Sequence, residues 1–478
     1  MTQLIVGPFN RVEGDLELTL DILGNRVAQA RVATTLYRGF EQILVGRPAG
    51  DALVIAPRIC GICSVSQSMA AAAALRRVSG ARPPPNGERA ANLVHAAENI
   101  ADHLSHFYLF FMPDFARGEY AGRRWHAEIT ARFRAIEGSA ARDMLPARAK
   151  LLHIMGLIAG KWPHSLSLQP GGVTRALDLG AKMRLLAVLA DFRAFCEKHL
   201  FGAPLEEIAA METPGQLWTY ANRQSDFASF LRVARDLRLS ALGRCALPLL
   251  SFGGYHFAEG ALFRSGAVDV TGAALPADGI GEQVASSWFA DSAEDPARAS
   301  TTPDLEREGA YSFAKAPRLR GSPAETGAVA RQAAAGNPLI RALLAQSGAS
   351  NVLVRVVARL HEIAIVTLAA QKWARALNVH EAFSENPPPP PENGAVAGLV
   401  EAARGALGHW VSFERGQIRN YQIIAPTTWN FSPRDAAGVP GPLEQALVGI
   451  ETGQLGAKAA AIQHAVRSFD PCMVCTAH

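Results

Sequence analysis

Four of the six cysteines stand as two Cys-x-x-Cys pairs, Cys60/Cys63 near the start of the chain and Cys472/Cys475 near its end. Two such pairs supply four thiolates, a donor set that soft and borderline metals bind well. Zinc fingers and ribbons keep their pairs close in sequence, because nucleating a small fold is their purpose. Here almost the whole of a 478-residue chain lies between them. Closing so long a loop costs entropy. A chain of this size with 49% apolar and 19% charged residues builds its own core and needs no metal staple. Spacing alone is equally compatible with a catalytic metal and with structural zinc. Thioredoxin-like disulfide exchange fits less well, since neither pair follows a βαβ pattern. Cys196 and Cys245 stand alone and read as small buried apolar residues.

Charge and hydropathy exclude other classes. Lys and Arg number 47 against 43 Asp and Glu, with no basic block, so nucleic acid is not an expected partner. The apolar fraction is too high for a disordered chain. The first ten residues lack a basic segment and meet Pro8 after a short apolar run, unlike a secretory signal. No stretch reaches the roughly 18 apolar residues of a membrane span. These features predict a soluble protein with no direct membrane span.

Periodicity predicts a mainly α fold with a small β-region near the N-terminus, organised as one large domain over 1–478. Leu16 to Leu20 alternates with period two, Val27 to Thr35 does so loosely, and Gly24-Asn25 suits a hairpin turn between them. Helices are expected over Ser68–Val78, Glu88–Met112, Leu177–His199, Asp226–Ala241, Asn337–Gln346 and Asn351–Leu377. Gly253 to Gly336 reads as loops with short strands or helical turns. Pro387 to Pro391 reads as an extended surface connection. The helix from Glu88 carries an apolar face, Leu93, Ala97, Ile100, Leu104, Phe107 and Phe111. Its second stripe, His95, Asn99, Asp102, His106 and Phe110, reads first as a solvated polar face, although it ends on a large aromatic.

The residues around the cysteines are more specific. Arg58-Ile59-Cys60-Gly61-Ile62-Cys63 and Asp470-Pro471-Cys472-Met473-Val474-Cys475-Thr476-Ala477-His478 resemble the two signature motifs of the nickel–iron hydrogenase large subunit. The likeness runs through most of the chain. It includes Asn10-Arg11-Val12-Glu13-Gly14, Pro163-His164, Pro170-Gly171-Gly172-Val173, Tyr311 to Arg318, Arg404-Gly405-Ala406-Leu407-Gly408-His409 and Pro426-Thr427-Thr428-Trp429-Asn430.

This resemblance implies Cys60 and Cys472 as terminal nickel ligands, with Cys63 and Cys475 bridging nickel to an iron that carries carbon monoxide and two cyanides. Heterolytic cleavage of H2 needs a base, and the Cys472 thiolate and the Arg404 guanidine are the candidates; arginine is a poor base in water. Glu13 matches the carboxylate that relays the proton, Asp102 and Asp470 the acids that hold Arg404, and Thr427 a hydrogen-bond partner of cyanide. Glu41, His478 and a backbone carbonyl near Ile423 match a magnesium site, although magnesium prefers oxygen. Implied partners are maturation proteins and an iron–sulfur small subunit, as a heterodimer or a dimer of heterodimers. The iron–sulfur clusters lie in that partner and none in this chain.

Four departures narrow the subgroup. Gln67 stands where most relatives have histidine, and an amide hydrogen-bonds a bridging thiolate without titrating near neutral pH. Ala403 replaces a usual proline before Arg404. Ile62 and Phe110 replace Val and Leu at gas-channel positions, where added bulk constricts the passage. With the chain ending at His478, this combination resembles the regulatory, hydrogen-sensing subgroup: cytoplasmic, oxygen-tolerant and signalling to a histidine kinase. The alternatives are an energy-yielding uptake hydrogenase and, from another class, a zinc-stabilised interaction protein.

Overall fold

The computed structural model describes residues 2–389, 392–452, 459–476 and 478. Strand β1 (Thr2–Val6) pairs antiparallel with β2 (Leu16–Leu23), and β2 with β3 (Arg26–Thr34). Gly24 and Asn25, at φ 56° and 62°, form the turn between β2 and β3, as their residue types predict. Leu16, Leu18 and Leu20 turn inward and pack with Val27, Ala30 and Val32.

Two helices follow. Helix α1 (Ser64–Ser79) begins directly after Cys63, and α2 (Pro85–Ser105) starts on a proline at its first position, where no backbone N–H is needed. Helix α2 runs on as a π-helical segment, His106–Phe111, and a 3-10 turn, Met112–Ala116. The long α3 (Val352–Ala376) packs against α2. Together with helices Leu179–Phe195, Asp226–Asp236 and Pro338–Ser347 they enclose the largest apolar core. The expected helices are all present, with ends shifted by a few residues.

The second stripe of α2 is not a solvated face. His95, Asn99, Asp102 and His106 are all buried, and each meets a polar partner from another element: Ser66, Tyr255, Arg404 and the Arg467 carbonyl. The stripe is polar because it faces other polar groups indoors. The middle region is loop and short strand as expected, except for the helix Ala328–Ala335. Of the proline run, Pro390 and Pro391 lie outside the described residues; 387–389 are exposed and belong to neither helix nor strand. Cys196 and Cys245 are buried. Among the described residues no helix is long and apolar enough to cross a membrane.

One sheet was not expected. Strands β4 (Gly394–Ala402), β5 (Gly405–Glu414) and β6 (Gln417–Ile424) form an antiparallel meander. Much of β4 and β5 is buried on both faces, so the alternation that betrays a half-exposed strand is missing. Helix α1 lies across β4, and the two approach so closely that only glycine fits at 398. A Cβ there would sit 2.0 Å from the Ala70 carbonyl oxygen and 2.6 Å from the Ala74 nitrogen. Gly398→Ala should therefore push α1 off the sheet and destabilise the fold by about 1–3 kcal/mol or more, read as a lowered thermal midpoint. An unchanged midpoint would show that this packing is looser than its geometry.

Candidate metal centre

The N-terminus of α1 fixes the first cysteine pair. Cys63 is its N-cap residue. The free N–H groups of the first turn are met by a carboxylate from α2: Glu98 accepts from Val65 N at 2.8 Å and Ser66 N at 2.9 Å. The Ser66 hydroxyl and the Trp162 indole N–H donate to it as well, each at 3.0 Å. Burial lifts the Glu98 carboxyl to about 7 against these donors. A helix end with its donors met in this way holds one geometry.

The second pair is fixed by the other end of the chain. Cys472 forms a parallel bridge with Glu13, and Met473 N donates to the Glu13 carbonyl at 2.7 Å. Thr427 Oγ1 accepts from Cys472 N at 3.1 Å, which leaves its own O–H proton to donate elsewhere. Arg38 joins the two motifs. Its guanidinium donates to the Ile59 carbonyl at 2.6 Å, just before Cys60, and to the Val474 carbonyl, just before Cys475. Phe40 stacks beneath it, 4.8 Å from ring centre to guanidinium carbon.

The four sulfurs thus meet. Cys60 and Cys472 lie 3.5 Å apart, Cys63 and Cys475 3.1 Å, Cys472 and Cys475 2.9 Å, and all four fall within 4.8 Å of one another, buried and unpaired by disulfide. Without a cation such a cluster cannot ionise fully. Hydrogen bonds from Cys472, Cys475 and Cys63 hold the Cys60 thiol well below its ordinary value, while Cys63 and Cys475 are pushed well above theirs. A metal bound there would supply the missing charge, and the donor set fits soft or borderline ions.

Beside the sulfurs stands Arg404, fully inside the protein. Nη1 donates to Asp102 Oδ2 at 2.6 Å, Nη2 to Asp470 Oδ1 at 3.2 Å, and Nε to the Asp470 carbonyl at 2.9 Å. Burial alone would lower its pKa, but the two carboxylates and the thiols of Cys472 and Cys63 outweigh it and raise the value well above the ordinary one. These surroundings oppose a proton-accepting guanidine and leave a fixed cation. Asp470 also accepts from Arg359 at 2.8 Å on α3. Beyond it, His103 Nε2 lies 3.3 Å from Glu362, which accepts from Arg331 at 2.7 Å, and Arg331 also pairs with Glu401. Glu13 is half-buried, and burial, with Cys60 nearby, raises its carboxyl against Arg404 and Arg38.

Buried polar atoms without partners mark room for further groups. Gln67 Nε2, Asp102 Oδ1 and Thr428 Oγ1 are among them; leaving one so costs about 1–3 kcal/mol. Gln67 Oε1 is engaged by His409 Nε2 at 2.7 Å. Glu41, His478 and Ile423 converge too. Ile423 N donates to Glu41 Oε1 at 2.7 Å, and His478 Nε2 lies 3.5 Å from the same oxygen. His478 Nδ1 donates to the Cys475 carbonyl at 2.5 Å. A neutral imidazole so committed turns a lone pair toward a carboxylate, an arrangement that suits a cation between them. Lys315 Nζ lies 3.4 Å from Glu41 Oε2. Ile62 packs into the apolar cluster that contains the four cysteines; Phe110 is half-buried and belongs to none of the apolar clusters among the described residues.

Sequence reasoning missed Arg38, Glu98 and Arg359. Arg359 was legible, with Arg355 and Glu362, as one of several charges set into a mostly apolar helix; nothing in the local pattern singles out Arg38. Because it ties both cysteine loops, Arg38→Ala should weaken metal retention by about 10–100-fold, measured by competition with a chelator on folded protein. Retention equal to wild type would mean that the loops hold themselves.

Comparison with known proteins agrees with this geometry. The family model described as nickel-dependent hydrogenase matches residues 38–118 and 141–478. The periplasmic [NiFeSe] hydrogenase large subunit of Desulfomicrobium baculatum is 26% identical, with all of this chain and 95% of the relative aligned. The quinone-reactive Ni/Fe-hydrogenase large chain of Wolinella succinogenes is also 26% identical, over all of this chain and 96% of the relative. The solved Ni-Fe-Se hydrogenase of D. vulgaris Hildenborough superposes with a TM-score of 0.85 at 27% identity, covering both chains fully. Four cysteines converging from opposite ends of a chain with this fold make the protein a large subunit of the nickel-dependent hydrogenase family.

Proposed function

We propose that the four thiolates of Cys60, Cys63, Cys472 and Cys475 hold a nickel–iron pair, with carbon monoxide and two cyanides on iron, at which H2 is split heterolytically. The reading is carried by one observation: four sulfurs within 4.8 Å of one another, beside an arginine pinned between two buried carboxylates. A bare zinc cage requires no such arginine. When bound, the metal pair supplies the electron-pair acceptor for one half of H2.

The remaining work belongs to side chains of this chain. A base must receive the proton, and Cys472 is the candidate, since Arg404 keeps its own. Arg404 carries a fixed positive charge over the site and orients whatever negative group comes beneath it. Glu13, whose carbonyl accepts from Met473 N next to Cys472, is the relay for the proton's departure; its raised pKa suits a group that takes up and releases a proton. The O–H of Thr427 is free to donate to a cyanide. Glu41, His478 and the backbone of Ile423 would hold magnesium. The whole chain acts as one unit with an iron–sulfur small subunit, and maturation proteins install the metals.

Within the family we place the chain with the cytoplasmic, oxygen-tolerant hydrogen sensors that signal to a histidine kinase. Gln67, Ala403, Ile62 and Phe110 support this assignment. The second reading is an energy-yielding uptake enzyme, favoured by the names of relatives such as the quinone-reactive large chain. Purified complex should contain nickel and iron in equal amounts and show infrared bands of carbonyl and cyanide; zinc alone would end the proposal. A sensor should turn over slowly and co-purify with a kinase, whereas reduction of a membrane carrier at high rate would favour uptake. Ile62→Val with Phe110→Leu should admit oxygen, so that H2 turnover under air is lost. Unchanged oxygen resistance would remove the gate from the proposal.

A further inference from the structure

Gln67 lies one turn into α1 from Cys63, on the same face of the helix, and helix side chains lean back toward the N-terminus. Its oxygen is 2.7 Å from His409 Nε2 on β5. The other ring nitrogen, Nδ1, is 2.7 Å from the Tyr421 hydroxyl on β6. All three side chains are buried.

The direction of this chain of bonds can be deduced. The Tyr421 hydroxyl has no other hydrogen-bond partner among the described residues. A buried phenol left with its proton unused costs about 1–3 kcal/mol, so Tyr421 donates and Nδ1 accepts. Burial holds His409 neutral, at about 3, so with Nδ1 accepting, the ring proton sits on Nε2. Nε2–H then requires an acceptor, which is Gln67 Oε1. The amide is thereby turned with its NH2 group away from His409, and Nε2 of Gln67 is left without a partner. The opposite flip would present an oxygen to anionic sulfurs.

We propose that Tyr421 and His409 are positioning residues that lock the Gln67 amide so that its N–H donates to the sulfur of Cys63 in the loaded centre. This rests on the metal-centre reading above. The sulfur then receives a hydrogen bond from a neutral group with a fixed polarity, set by a tyrosine two residues away along the relay. Such a donor withdraws density from the thiolate, and less density reaches the metal and its carbonyl.

Infrared spectroscopy of the assembled complex tests this. Gln67→Met removes the donor and should move the carbonyl band to lower frequency. Tyr421→Phe should move it the same way, and the double variant should move it no further than Gln67→Met alone, because Tyr421 acts only through Gln67. A Tyr421→Phe band coincident with wild type, or shifts that add in the double variant, would overturn the proposal. If Tyr421→Phe takes up no metal, His409→Gln offers Gln67 an N–H without the tyrosine, and its band should stay at the wild-type position; a displaced band would refute the relay. Absence of any carbonyl or cyanide band in wild type is a different failure, that of the nickel–iron reading, and the proposal falls with it.

Discussion

Four sulfur atoms packed into a dry interior cannot all carry charge, and the rest of the structure answers that constraint. Repulsion between thiolates in a low dielectric would drive the two cysteine loops apart or leave them protonated. The loops are held from outside instead. Glu98 caps the helix behind Cys63, Glu13 bridges to Cys472, and Arg38 binds a carbonyl before Cys60 and another before Cys475. None of these bonds uses a sulfur. The frame is therefore organised around the cluster without consuming its ligand capacity.

The same economy governs Arg404. A lone guanidinium this deep would be costly to bury. Asp102 comes from α2 and Asp470 from the segment before Cys472, so the arginine ties the middle of the chain to its C-terminal motif. Asp470 in turn leans on Arg359, which donates to the neutral His103, and His103 bonds to Glu362, whose ion pair with Arg331 reaches Glu401 on β4. Removing one member would leave a buried charge without its partner, which is why α3, apolar by composition, keeps arginine and glutamate on its inner side.

The sequence was most readable where periodicity and local chemistry coincide. The β2–β3 hairpin, the long helices and both Cys-x-x-Cys pairs follow from residue type and spacing. Periodicity alone reads the polar stripe on α2 as solvated, because it reports only that one face is polar, not what faces it; the family resemblance is what turns Asp102 inward, with His106 one turn on, and both are buried. Strands β4 to β6 escaped notice for the converse reason, since burial on both faces erases alternation. The convergence of Asp102, Arg404 and Asp470 followed only from resemblance, because no local rule brings together residues so far apart. Arg38 could not be found even so: its role lies in two backbone carbonyls, which carry no sequence identity.

Burial separates the buried histidines by function. His95, His103, His106 and His409 are all held neutral, well below the ordinary histidine range, and for each of them burial is the largest cause. None can serve as a cation that answers the thiolates. Positive charge near the sulfurs therefore comes from arginines, which keep their protons in the same surroundings, and directional hydrogen bonding comes from neutral imidazoles.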